Sequence, residues 1–167
     1  MVYAPDHRHY YDADSHIMEL PDFLRAYADP DIRDEIPLVD YTASIVTDEE
    51  VAEIVSQGNR HSDEHREAQI ALGDDLIAES KEIQGLGAFD SGDRTTAMDL
   101  LGFQKQLVFA THSVVTPFHP SSNYPLRLKY GGARAHNRHM AAFCADDDRL
   151  MGVGALPLDD PAQAIVE

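Results

Sequence analysis

The residues best suited to chemistry lie near the start of the chain, in the stretch His-Tyr-Tyr-Asp-Ala-Asp-Ser-His at positions 9–16. The two tyrosines favour a short strand, and Ala13 can belong to it. Asp14 and His16 follow at its carboxyl end, and residues two apart in an extended chain point to the same side. A carboxylate oxygen and an imidazole nitrogen that converge there supply two ligands for a divalent cation. Because two ligands hold a metal weakly, the pair predicts a metal site whose other ligands come from elsewhere.

Other interpretations compete with this one. An Asp-x-His pair at a strand end can simply cap the following turn. His7 and His9 form a rival pair just upstream, but they would begin the strand rather than end it. His61 and His65 have the i, i+4 spacing of a helical zinc pair, yet they sit in a highly charged segment that is typical of a solvated helix face. The run 146–148 is triple aspartate without the glycine and distal glutamate of a calcium loop, so it predicts a solvated turn.

Composition limits the class of protein. The chain has 167 residues, of which 43% are hydrophobic, so it can form one globular domain with a real core. It has no apolar run of 18 residues and no visible signal peptide, and Cys144 is its single cysteine; these features favour a cytoplasmic protein. The net charge of −17 argues against nucleic acid and anionic membranes as partners.

The order of predicted elements indicates an α/β fold. Strands near 9–14, 105–110 and 150–156 alternate with helices, which predicts a parallel sheet with the strands adjacent in that order. A mostly helical insertion over about 20–90 follows the first strand. A capped helix begins at Pro161, only six positions before the last residue of the chain. We therefore expect the chain to be the N-terminal part of a larger, incomplete domain.

A long loop is predicted over 111–132, directly after the second strand, where α/β folds place binding residues. His112 and His119 lie in it, followed by Arg127, which could pair with a substrate carboxylate. Each of these residues could equally be an ordinary surface residue. We treat His112, His119 and Arg127 as candidate substrate-binding residues.

Several motifs together resemble those of one known family. They are Tyr-Asp-Ala-Asp-Ser-His-Ile-Met-Glu at 11–19, Met-Asp-Leu-Leu-Gly-Phe at 98–103, Gln-Leu-Val-Phe at 106–109, the helix at 136–144, and Asp-Arg-Leu-Met-Gly-Val-Gly-Ala-Leu-Pro at 148–157. In order and spacing they are similar to the amidohydrolase-2 family, the branch of the amidohydrolase superfamily that includes aminocarboxymuconate-semialdehyde decarboxylase. The similarity is weakest over 40–90.

The resemblance implies a distorted (β/α)8 TIM barrel, of which this chain would hold about three βα units, with one divalent metal, most often zinc or manganese. Asp14 and His16 stand where the family has its first two ligands, although aspartate departs from the usual histidine or glutamate. The later ligands, a histidine and an aspartate, would lie beyond Glu167. Asp12 is a candidate to orient the imidazole, since metal-bound histidines usually have such a partner.

The expected function is thus that of a metal-dependent hydrolase or decarboxylase acting on a small carboxylate, carbonyl or amide substrate. The segment by itself is expected to have little activity and to self-associate through exposed barrel faces, as a homo-oligomer or otherwise. Two alternatives are a truncated barrel that acts as a non-catalytic binding module and a metal-dependent phosphoesterase. No phosphate-cradling loop supports the last of these.

Overall fold

Three parallel strands form the centre of the fold. The computed structural model describes residues 7–42, 44–113 and 122–167. Strand β1 (Tyr10–Ile17) pairs with β2 (Phe103–Ala110), and β2 pairs with β3 (Leu150–Gly152). Both pairings are parallel, and the spatial order is β1-β2-β3. The predicted α/β architecture, with its strand direction and order, is confirmed.

A bulge interrupts β1. Asp12 pairs with Gln106, whereas His16 pairs with Phe109, so β1 uses one more residue than β2 between these two points. The register shift falls between Asp12 and Ser15. Since paired residues of parallel strands point to the same face and Gln106 and Phe109 are three apart, Asp12 and His16 lie on opposite faces of the sheet.

Local signals explain where two of the helices begin and where one of them ends. Helix α2 (Asp48–Ser56) begins with a complete capping box between Thr47 and Glu50, as the sequence predicts. Helix α5 (Ser91–Leu101) begins at the cap Asp90 and ends at Gly102, which adopts the left-handed conformation that glycine tolerates best.

The segment between β1 and β2 is mostly helical. It contains α1 (Phe23–Tyr27), α2, α3 (Asp63–Ala71) and α4 (Leu76–Glu79), with 3-10 turns at Gly73–Asp75 and Glu82–Gln84. The apolar positions Ile70, Leu76 and Ile77 predict a single helix over 61–80, but the chain breaks it at Gly73, whose φ is +54°. A second, smaller core cluster forms here around six buried side chains: Leu20, Tyr41, Val46, Val51, Ile54 and Ile83.

Two predicted boundaries are wrong in the second half of the chain. Helix α6 spans Leu126–Phe143, so the last part of the predicted loop is helical. Strand β3 ends at Gly152, because the side-chain amide of Asn137 on α6 bonds both the N–H and the C=O of Ala155. The chain is thereby drawn off the sheet toward α6.

Helix α7 (Pro161–Val166) is capped by Asp160, as predicted. The main core lies between the sheet and helices α1, α5 and α6, with Ile17, Met98, Val108 and Met140 almost fully buried. In the parts of the chain that the structure describes, no helix combines the length and apolar character needed to cross a bilayer.

Candidate functional site

Asp14 and His16 meet near the carboxyl end of β1, as their spacing predicts. Nε2 of His16 lies 3.3 Å from Oδ1 of Asp14. The side chain of Asp14 is 90% exposed and that of His16 39%, so both atoms are accessible to a ligand from solvent. The His16 ring stacks on Phe109, with centroids 5.6 Å apart, which fixes the imidazole against β2. The pair borders an open cavity of about 470 Å³.

The other imidazole nitrogen of His16, Nδ1, has a partner in the residue that directly follows β2. Nδ1 of His16 lies 3.1 Å from the hydroxyl of Thr111. That hydroxyl donates to the carbonyl of Ile17 at 2.7 Å, and a carbonyl can only accept. The Thr111 oxygen is therefore an acceptor for Nδ1–H. In a neutral imidazole, this leaves the lone pair on Nε2, facing Asp14.

Asp12 lines the same cavity as Asp14 and His16, but its hydrogen bonds go to the Asp14 backbone and to Gln106. Because of the bulge, its carboxylate lies on the helix side of the sheet. One oxygen accepts the backbone N–H of Asp14 at 3.0 Å, and the other accepts from Gln106 at 3.3 Å. Its contacts support the backbone of Asp14, while Thr111 contacts the imidazole of His16. The proposed role of Asp12 toward His16 stays a prediction.

A buried arginine on α5 supports β1 through hydrogen bonds. Arg94 on α5 donates to the carbonyls of Gly87 and His16 and to the hydroxyl of Ser15. Burial lowers the pKa of Arg94 to about 10, with the charge of Asp12 acting in the opposite sense. The guanidinium therefore still carries its charge at neutral pH and holds β1 at the position of the pair.

Glu19 is a site residue that the sequence reasoning missed as a functional group. Its side chain is buried, and its two carboxylate oxygens accept the consecutive backbone N–H groups of residues 111–113 at 2.7–3.1 Å. Tyr41 donates its hydroxyl to the Glu19 carbonyl at 2.5 Å. A glutamate just past a strand was the only available signal, because its partners are more than 90 positions away.

His112, a predicted substrate-binding residue, lies beside a second cavity of about 460 Å³. Its Nε2 is buried and makes no hydrogen bond within the part of the chain that the structure describes. Its ring packs edge-on against Tyr41, at 5.0 Å between centroids. Thr111 also lines this cavity, and its hydroxyl contacts His16, so this one residue adjoins both the cavity and the Asp14–His16 pair.

Of the other two predicted substrate-binding residues, Arg127 is not brought to these cavities. Arg127 lies in the first turn of α6, half exposed, and forms an ion pair with Glu35. Glu35 has its pKa lowered by the hydrogen bond from Arg127. Arg127 lines neither the cavity beside His112 nor the one beside His16. His119 lies outside the described residues.

The rival histidine pair at 61 and 65 serves a structural purpose. Their rings are 4.3 Å apart, and their Nε2 atoms donate to the carbonyls of Ile83 and Gln84. His61 is buried rather than solvated, and burial lowers its pKa. Both imidazoles therefore hold the 3-10 turn at Glu82–Gln84.

The donor set at Asp14 and His16 fits a divalent metal as two ligands. Zinc ligands lie about 2.0–2.2 Å from the ion, so two neighbouring ligands of a tetrahedral site are about 3.3 Å apart. The distance from Oδ1 to Nε2 agrees with that geometry. Across the described ranges, no group of three or more His, Cys, Asp or Glu is arranged to hold a metal.

Comparison of the chain with protein-family models, with curated proteins and with solved structures found no match in any of the three.

Proposed function

We propose that this chain carries part of the site of a metal-dependent hydrolase or decarboxylase of the amidohydrolase kind, with Asp14 and His16 as ligands of a zinc or manganese ion. One observation carries the proposal. Oδ1 of Asp14 lies 3.3 Å from Nε2 of His16, and both atoms carry lone pairs when a neutral His16 has its proton on Nδ1. Such atoms repel unless a cation lies between them, either a proton or a metal ion.

Three features of the fold support placing the pair in a (β/α)8 TIM barrel. The strands are parallel and adjacent in chain order. Helix α5 lies between β1 and β2 in the chain, and α6 lies between β2 and β3. The sheet face opposite those helices carries partly exposed apolar side chains, including Leu107 and Met151. Barrel enzymes place chemistry at the carboxyl ends of strands, where Asp14 and His16 lie.

When bound, the metal would activate water or polarise a substrate oxygen. The chain's own residues then have distinct tasks. Asp14 and His16 would hold the metal, and Thr111 and Phe109 orient the imidazole. The cavity beside His112 receives a small-molecule substrate. Asp40 and Glu82 line that cavity, and the described lining contains no lysine or arginine. This charge balance disfavours a carboxylate in that cavity, whereas the cavity that Asp14 and His16 border is lined by Lys81 and Arg94 and can receive one.

Metal titration tests the proposal directly. Isothermal titration calorimetry with Zn²⁺ and with Mn²⁺ should show one weak site on the chain. Asp14→Asn and His16→Gln should each weaken that site by at least about tenfold, because a two-ligand site cannot spare either ligand. The matched control is the double change His7→Asn and His9→Asn, which removes the exposed upstream pair and should leave the affinity unchanged.

Equal metal binding by Asp14→Asn and the unaltered chain would overturn the ligand assignment. Complete absence of a site in the unaltered chain would favour the non-catalytic binding module instead, since the described residues supply only two ligands. A substrate role for His112 is checked separately: His112→Ala should leave metal affinity unchanged and raise KM in any hydrolysis or decarboxylation that is detected.

A further inference from the structure

We infer that Thr111 is a positioning residue that sets the tautomer of His16, so that the lone pair of the imidazole lies on Nε2 beside Asp14. Only the expected effect on metal affinity rests on the proposed function. The tautomer itself is a property of the chain without any metal. Its basis is a continuous set of hydrogen bonds from Glu19 through Thr111 to His16.

Thr111 and Asp14 compete for the single ring proton of a neutral His16. A neutral imidazole carries one N–H, which can lie on Nδ1 or on Nε2. Nδ1 is 3.1 Å from the Thr111 hydroxyl, and Nε2 is 3.3 Å from the Asp14 carboxylate. The carboxylate is a charged acceptor, and alone it would draw the proton to Nε2. In that tautomer His16 cannot ligate a cation beside Asp14.

The direction of the Thr111 hydroxyl is set by its own hydrogen bond. Its own proton is committed to the Ile17 carbonyl at 2.7 Å, so its oxygen presents lone pairs to Nδ1. A lone pair on Nδ1 would face that oxygen without a proton between them. The Thr111 hydroxyl is held in place, whereas the Asp14 side chain is 90% exposed and can turn toward water, so the contact at Nδ1 decides and favours Nδ1–H. That tautomer is the one that a metal-binding Nε2 requires.

Glu19 holds Thr111 in place. Its backbone N–H bonds the buried carboxylate of Glu19 at 3.0 Å, together with the next two N–H groups of the chain. These bonds fix the carboxyl end of β2 against the chain leaving β1. Thr111 is thus held by Glu19 on one side and accepts from His16 on the other.

The test compares two changes of one side chain. Thr111→Val keeps the shape and removes the hydroxyl, and Thr111→Ser keeps the hydroxyl. Long-range ¹H–¹⁵N correlation spectra at alkaline pH, recorded without metal, report which ring nitrogen of His16 carries the proton. We expect Nδ1–H in the unaltered chain and in Thr111→Ser, and a shift toward Nε2–H in Thr111→Val. Nε2–H in the unaltered chain, or an unchanged tautomer in Thr111→Val, would overturn the inference.

A second measurement separates this inference from the proposed function. Thr111→Val should bind Zn²⁺ about 10- to 100-fold more weakly than Thr111→Ser, the usual cost of losing the partner of a ligating histidine. A tautomer shift in a chain that binds no metal would refute the metal proposal and leave the role of Thr111 standing. Equal zinc affinities together with a tautomer shift would refute the link between the two. Far-ultraviolet circular dichroism verifies that both variants are folded.

Discussion

Arg66 on α3 holds Asp93 on α5 through a two-pronged ion pair. Nη2 lies 2.6 Å from Oδ1 of Asp93, and Nε lies 2.8 and 3.0 Å from its two oxygens. The Asp93 side chain is only 4% exposed, whereas that of Arg66 is 40% exposed. This contact ties the helical insertion to the helix that precedes β2.

Removing the buried member of this pair should therefore destabilise the fold. Asp93→Ala is expected to cost about 2 kcal/mol in the free energy of unfolding, because charge-assisted hydrogen bonds are lost at a buried position. The control is Asp63→Ala, which removes an exposed carboxylate 3.9 Å from the same arginine and should cost about 0.5 kcal/mol. Urea denaturation measures both; equal costs would show that the bidentate geometry adds nothing.

Gly87 is predicted to be intolerant of any side chain. Its φ is +77°, and an added Cβ would lie 2.3 Å from Cα and 2.5 Å from the backbone nitrogen of Arg94. Gly87→Ala should cost about 3 kcal/mol or more, from left-handed strain and overpacking together. Gly58 has φ +80° with nothing within 4 Å of its added Cβ.

Gly58→Ala is thus the matched control and should cost about 1 kcal/mol, from the backbone strain alone. Thermal unfolding of the two variants separates the effects. A smaller loss for Gly87→Ala than for Gly58→Ala would contradict the close packing of residue 87 against α5. Since Arg94 also bonds the His16 carbonyl, Gly87→Ala should weaken zinc binding as well.

Stability should fall as the solution becomes mildly acidic. Burial lowers the pKa of His61, His136 and His139 below the usual value of about 6.5. Above that value the imidazoles are neutral in both states, so pH has no effect through them. Below it the unfolded chain takes up protons that the folded protein does not, and the free energy of unfolding decreases.

Urea denaturation at a series of pH values measures this slope. His136→Gln, which removes the imidazole that contacts the Val153 carbonyl, should make the decrease between about pH 6.5 and 5 shallower. His9→Gln removes an exposed imidazole and should keep the original slope. A steeper slope in His136→Gln than in the unaltered chain would mean that the buried histidine is charged in the folded state.

Local signals in the sequence were sufficient for much of the fold. The capping box at Thr47 and Glu50, the glycine at 102 and the aspartate at 160 act on their own helices, and each does what its residue type predicts. The spacing of Asp14 and His16 likewise predicts their contact. All these effects involve residues within a few positions of each other.

The remaining features depend on residues far apart in the chain. The bulge that puts Asp12 on the other face is fixed by pairing with β2, and regular alternation alone would place it beside Asp14 and His16. The partnership of Glu19 and Thr111 spans more than 90 positions. Helix α6 starts early because buried side chains in its first turns, among them Tyr130, bond the segment before α7. Such long-range contacts leave little trace in spacing or composition.

The connection lengths of the sheet have a kinetic consequence. Gln106 pairs with Leu150 across a connection that contains α6, whereas Tyr10 pairs with Phe103 only after the whole helical insertion is enclosed. Each doubling of an enclosed loop adds about 0.6 kcal/mol of closure entropy, and non-local pairing slows folding. The β2–α6–β3 unit should therefore assemble before β1 docks, which pulse-labelled hydrogen exchange would show as earlier protection of β2 than of β1. The Asp14–His16 pair is then among the last parts of the molecule to form, and Thr111 meets its histidine only when folding is nearly complete.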